Sequence, residues 1–220
     1  ETGKKVPQGH GTFKGAEYTV YSDSALTKYV GTITLDANGK GTLGDLKPGE
    51  YEVCETKAPA GYVKNNEVIK VKAGIKEINT ANFDYPVTSK EKPITTLVKK
   101  VDPDGKFVVG ANLQIIDSKG NVVEEWVTTD KEHIVKGLAK GEYTLHEAKT
   151  PAGYVTAKDV KFTIEEKEEV HEVVMVDDTI KVDIEKIDKT TKEFIEGVTL
   201  QLINSNGNLV KEWVTDGKAL

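Results

Sequence analysis

At 220 residues, with 37% apolar and 30% charged positions, the chain has the composition of a globular protein rather than a disordered or membrane-embedded one. Its formal charge is −6 and its 30 basic residues are all lysine, which argues against nucleic acid as a partner, because phosphate recognition needs clustered cations and favours arginine. The single cysteine, Cys54, excludes an intrachain disulfide, and no apolar run reaches transmembrane length.

The chain opens with Glu1-Thr-Gly-Lys4, which matches a later turn at Thr190-Thr-Lys-Glu193. Two strands are expected next, at Gly15-Ala-Glu-Tyr-Thr-Val-Tyr21 and Val30–Leu35, followed by the turn Asp36-Ala-Asn-Gly39. Leu46–Tyr62 then reads as a turn, a strand and a Pro-Ala-Gly-Tyr turn. In that strand Tyr51, Val53 and Glu55 share one face, with Glu50, Glu52 and Cys54 on the other. The stretch returns at Leu138–Tyr154, a shift of 92 residues (151 − 59, proline to proline), with Tyr143, Leu145 and Glu147 on the corresponding face. Gly110–Thr129 likewise returns as Gly197–Thr215, a shift of 87 (213 − 126, tryptophan to tryptophan). A repeat near 90 residues is too long for a solenoid and suits a tandem array of small domains.

Short alternating strands, Gly/Asn/Asp turns and little helical periodicity predict an all-β chain of Ig-like β-sandwiches. The expected modules are 1–86, lacking its first strand; 87–178, complete; and 179–220, the opening part of a third. The divider after the first is 85–95, and after the second only Asp178-Thr179, too short for free motion. Abrupt ends suggest a segment of something longer.

Three ionisable residues continue apolar faces, where a bare charge is costly. Ile180, Val182 and Ile184 alternate into Lys186, and the matching residue in the second module is Lys100, although parity alone does not exclude Lys99. Val173 and Met175 lead into Asp177, and Tyr143 and Leu145 into Glu147. First and last strands can neighbour each other in such a sandwich. Burial lowers a lysine pKa and raises those of carboxyls, and a neutral, desolvated amine is a nucleophile. One protonated carboxyl would polarise the other and shuttle the proton, with Glu147 held neutral. The plainer alternative is a buried lysine–acid ion pair.

These motifs resemble the B-type repeat domains of Gram-positive collagen adhesins and pilins (Cna B-type, prealbumin-like). They are a Lys-x-Asp first strand at Lys100-Val-Asp102, the strand Gly141-Glu-Tyr-Thr-Leu-His-Glu147 running on to Pro-Ala-Gly-Tyr154, and an acid on the last strand. The second module is particularly similar to the streptococcal fibronectin-binding-protein domain used as a tag and catcher pair, through Val174-Met-Val-Asp177. The resemblance implies a spontaneous isopeptide bond with Lys100 as nucleophile, Asp177 as acceptor and Glu147 as acid/base. In the first module it implies Glu55 as the equivalent acid, inactive here, with Asp84 or Asn82 as acceptor and the lysine missing. The third keeps Lys186 but neither acid nor acceptor. It further implies an extracellular stalk or pilin-like segment of a cell-wall-anchored surface protein, partnered by neighbouring domains. A ligand-binding adhesin recognising host extracellular matrix or glycan, and accessory domains of a secreted enzyme, are the alternatives.

No cofactor is expected. His10, His133, His146 and His171 have no metal spacing and default to solvent. Trp126 and Trp213 occupy equivalent repeat positions, which favours packing, and Cys54 reads as a partly exposed free thiol. Asp102-Pro-Asp-Gly105 reads as a plain turn, since a calcium loop would need later ligands. Nothing reads as a turnover active site or as a segment inserting in a membrane.

Overall fold

The computed structural model describes residues 6–74 and 87–217. Asn82 and Asp84, the expected acceptors of the first module, lie outside the described residues. The chain is all-β, and no helix is long and apolar enough to cross a membrane. It divides into two compact units, Glu1–Asp178 and Thr179–Leu220.

The first module contributes β1 (Glu17–Tyr21), β2 (Tyr29–Thr34), β3 (Gly49–Lys57), the short β4 (Tyr62–Val63) and β5 (Val68–Ala73). Four of these form an antiparallel sheet in the order β2-β1-β3-β5. Alternation does the work expected of it: Tyr18, Val20, Tyr51 and Val53 bury one face together with Ala16 and Ala73. Glu52 departs from the pattern. It lies on the other parity yet is only 9% exposed, with Oε1 at 3.7 Å from Lys70 of β5.

The second module contains β6 (Lys92–Pro93), β7 (Thr95–Val101), β8 (Asn112–Asp117), β9 (Val122–Val127), β10 (His133–Lys136), β11 (Gly141–Lys149), β12 (Val160–Ile164) and β13 (His171–Val176). β6 pairs with β4, and the other seven build two sheets, β10-β7-β13 and β12-β11-β8-β9. The inward faces close on a core of Val98, Leu113, Ile115, Leu145, Ile164 and Met175, each at most 2% exposed. β7 and β13, first and last long strands of the module, pair in parallel, with Thr96 opposite His171 and Lys100 opposite Met175. A parallel pair needs a long crossover, and here the other sheet supplies it. His171 is therefore not solvent-facing as expected: it takes the inward parity, is 9% exposed, and its Nε2 lies 3.0 Å from the Glu165 carbonyl.

The turns share one design. Asp36, Asp102, Asp117 and Asn204 each accept, through one side-chain oxygen, the amides two and four residues ahead. Glycine follows at positive φ in each, as at Gly105 (φ 81). Asp102 thus spends its carboxylate on its own turn.

In the second unit β14 (Thr199–Ile203) and β15 (Leu209–Val214) form an antiparallel hairpin. The strand expected at 180–184 does not form: Ile180 and Val182 are 60% and 65% exposed and lie outside any strand. Alternation marks a strand only where a neighbour takes up its backbone hydrogen bonds.

Candidate functional site

The parallel β7/β13 register sets the site. Thr96, Val98 and Lys100 point inward from β7, and Val173 and Met175 do so from β13. Asp177 follows β13 in the same parity, anchored by its amide donating to the Val101 carbonyl at 2.9 Å. Lys99 turns outward and pairs with Glu172 on the outer face, which resolves the ambiguity between the two lysines. From the opposite sheet β11 delivers Glu147, which sits across from Leu113 of β8.

The three side chains converge in the core. Lys100 Nζ hydrogen-bonds to Asp177 Oδ1 and lies 3.2 Å from Glu147 Oε1. All three are 0–1% exposed at the side chain. Glu147 Oε2 accepts the Ala157 amide at 2.9 Å. Asp177 Oδ2 has no hydrogen-bond partner among the described residues. Such an unpaired buried oxygen costs on the order of 1–3 kcal/mol when it belongs to a carboxylate left as it is.

The surroundings split the two acids. Burial alone would raise Glu147, but the Ala157 amide, the Thr150 hydroxyl and the Lys100 ammonium more than offset it and hold the carboxyl below its usual range. Burial pushes Asp177 up, and the neighbouring Glu147 charge adds to it, against the pull of Lys100. The two acids thus shift in opposite directions, Asp177 toward its neutral form and Glu147 toward its carboxylate, which runs against the expectation that Glu147 is held neutral. The Ala157 amide acts here together with Thr150 and Lys100, and nothing in β11's alternation signals the amide.

The first module rebuilds half of this pocket. Glu55 is 3% exposed, and its Oε2 accepts the Asn65 amide, ten residues on, just as Glu147 takes the amide ten residues on. Its Oε1 has no hydrogen-bond partner among the described residues, and no described lysine lies within ion-pair distance. Burial, reinforced by Glu91 against the Asn65 amide, pushes Glu55 up to about 7. Glu91 in turn accepts the hydroxyls of Tyr18 at 2.7 Å and Ser89 at 2.6 Å. Lys186 is exposed, outside any strand.

A second cluster escaped sequence reasoning. Glu124 of β9 has Oε2 at 2.7 Å from His10 Nε2 and Oε1 at 3.0 Å from His133 Nε2. The His133 ring stacks on Trp126 with centroids 4.3 Å apart. Burial would raise Glu124, but the two imidazoles hold it below the usual carboxylate range. No motif spacing links residues 10, 124 and 133. Trp126 also packs against the core of the second module, as its repeat position suggested, and Cys54 is partly buried.

Among known proteins, the family model described as SpaA, prealbumin-like fold domain, matches residues 2–85 and 95–179. Serine-aspartate repeat-containing protein F of Staphylococcus epidermidis is 28% identical over 151 residues, 59% of this chain but 9% of that protein. The chain thus spans about a tenth of the length of the curated relatives it matches. Among solved structures, the Bacillus anthracis TIE protein superposes with a TM-score of 0.52 at 27% identity, over 92% of this chain and 38% of that one. A C-terminal fragment of the pilus adhesin SpaC from Lactobacillus rhamnosus GG aligns with a TM-score of 0.44 at 17% identity, over 78% and 92% of the two chains.

Proposed function

Because the chain belongs to the SpaA prealbumin-like domain family, we propose that it is a structural stalk segment of a Gram-positive cell-surface protein, internally stapled in its second module by an isopeptide bond between Lys100 and Asp177. The observation that carries this reading is the dry contact of a lysine amine with two carboxyls whose environments drive their pKa values apart. An ordinary buried ion pair needs one acid; this site brings two to one amine.

The chemistry follows from that asymmetry. The site starts as an ammonium on Lys100, a carboxylate on Glu147 and a neutral acid on Asp177, with no net charge. Glu147 removes a proton from the Lys100 ammonium, and the freed amine attacks the Asp177 carboxyl carbon. Glu147 then passes its proton to a departing hydroxyl, which leaves as water, and takes the last proton from the new amide nitrogen. The products are an amide, one water and a neutral Glu147. The start holds a desolvated ion pair and the products hold no charge, so burial favours the products. The reaction runs once per chain and is no turnover activity.

The staple makes the module resistant to unfolding and proteolysis, which suits a load-bearing stalk outside the cell. The intact mass of the purified chain tests the reading. A deficit of one water, lost in Lys100→Ala and in Asp177→Ala, is the expected result; a full mass for the unaltered chain would overturn it.

A further inference from the structure

The segment between the first and second modules, a divider by composition, is built into both. Its Lys92-Pro93 strand pairs with Tyr62-Val63 of the first module, and the Ile94 amide donates to the Gly61 carbonyl at 2.9 Å. From the other side, the His10 amide donates to the Lys136 carbonyl at the end of β10, at 3.0 Å. Around these bonds the two backbones approach too closely for any side chain. A Cβ at Gly61 would stand 2.3 Å from the Gly137 carbonyl oxygen, and one at Gly137 would stand 2.4 Å from the Gly11 nitrogen. Both glycines also hold positive φ, 87 and 77. Tyr62, 2% exposed, closes the seam with its hydroxyl accepting the Gln8 amide at 2.7 Å. Glu124 stands at the rim, bonded to His10 of the first module and His133 of its own.

We infer that the first two modules are docked as one rigid strut, through a backbone seam that admits only glycine at Gly61 and Gly137 and is latched by the Glu124–His10 contact. Three backbone-level attachments and a carboxylate gripped from both sides leave the joint little freedom to hinge. Domains in one chain move relative to each other by default unless something specific prevents it. Here the preventing surface is backbone on backbone, so it cannot slide by exchanging rotamers. The partner this face of the second module fits is a preceding module that presents Gly9-His10-Gly11 and Gly61.

The inference is tested on the whole chain with spin labels at Ser24→Cys and Lys161→Cys, both exposed, in a Cys54→Ser background. Pulsed dipolar spectroscopy should give one narrow distance distribution. Gly137→Ala should broaden it, whereas Gly120→Ala, which has a similar positive φ (85) but open space around it, should not. The comparison separates loss of the seam from simple backbone strain. Hydrogen exchange at the His10 and Ile94 amides should accelerate by about tenfold or more in Gly137→Ala and stay slow in Gly120→Ala. His10→Ala, which leaves every strand intact, should also broaden the distribution. A broad distribution in the unaltered protein, or equal behaviour of the two glycine variants, would overturn the seam. A narrow one in His10→Ala would overturn the latch.

Discussion

Glu147→Gln is the sharpest single perturbation of the proposed staple in the second module. The glutamine keeps the shape of the side chain and can still accept the Ala157 amide, while Lys100 and Asp177 remain in contact as a simple ion pair. What is lost is the base that frees the Lys100 amine, so the bond should not form. The proposed cross-link would close a loop of 77 residues, and the chain-entropy relation used for disulfides assigns it about 4–5 kcal/mol. At roughly 4–8 °C per kcal/mol for a domain of this size, the second module's melting transition should fall by about 20–30 °C. Calorimetry with intact-mass measurement on the same samples reads both halves of the claim. A variant that keeps the one-water deficit refutes Glu147 as the base. A variant that regains the water but melts within a few degrees of the parent refutes the loop-entropy reasoning.

Lys99→Ala should leave both the mass deficit and the melting transition unchanged, since Lys99 meets only Glu172 on the outer face; loss of the deficit would mean the wrong lysine has been assigned. Lys100→Ala should be less stable than Glu147→Gln, and increasingly so as pH rises, because two buried carboxyls then ionise with no cation between them; a pH-independent melt would count against that account. The first module should itself weaken as pH rises. Glu55 holds its proton up to about 7 in the folded state but only to about 4.3 when unfolded. Between those values the folded state binds more protons, so stability falls with pH, by about 3 kcal/mol across the window. Glu55→Gln should flatten the pH dependence of that module's unfolding, and an unchanged slope would show that Glu55 is not its source.

Period-2 alternation was enough to place Tyr51, Val53, Leu145 and Met175 in cores, and to turn Glu55, Glu147 and Asp177 the same way. It stopped at β7, where Leu97 and Val98 are both apolar and either lysine could point inward. The parallel pairing with β13 decides the matter, and pairing across more than 70 residues leaves no local trace. The same limit hid the Glu124 cluster, whose members meet only because β9, β10 and the segment before β1 do. At Ile180–Ile184 alternation misled in the opposite direction, since a pattern suited to pairing does not supply the partner. The opposite shifts of Glu147 and Asp177 depend on a backbone amide as well as on Thr150 and Lys100, and no side-chain pattern encodes the amide.

The position of Lys100 and Asp177 explains why a stalk would keep such a pair. β7 and β13 are parallel neighbours, so tension entering before Thr95 and leaving after Asp178 pulls them in opposite directions along their shared ladder. Without a covalent tie, that ladder resists in shear until it slips. With the bond formed, load runs from Thr95 to Lys100, crosses to Asp177 and leaves the module. Residues 101–176 then lie off the load path, although they hold the entire β12-β11-β8-β9 sheet and Glu147 itself. The second sheet is needed to make the bond and not to bear the force. Directly upstream of Thr95, the same load path passes through Pro93 and Ile94, which the glycine seam fixes to the first module. A force-bearing line laid through a covalent tie and a joint that cannot hinge behaves as a rod. Single-molecule extension should accordingly find no unfolding step for the second module in the parent chain, and a step releasing it in Glu147→Gln.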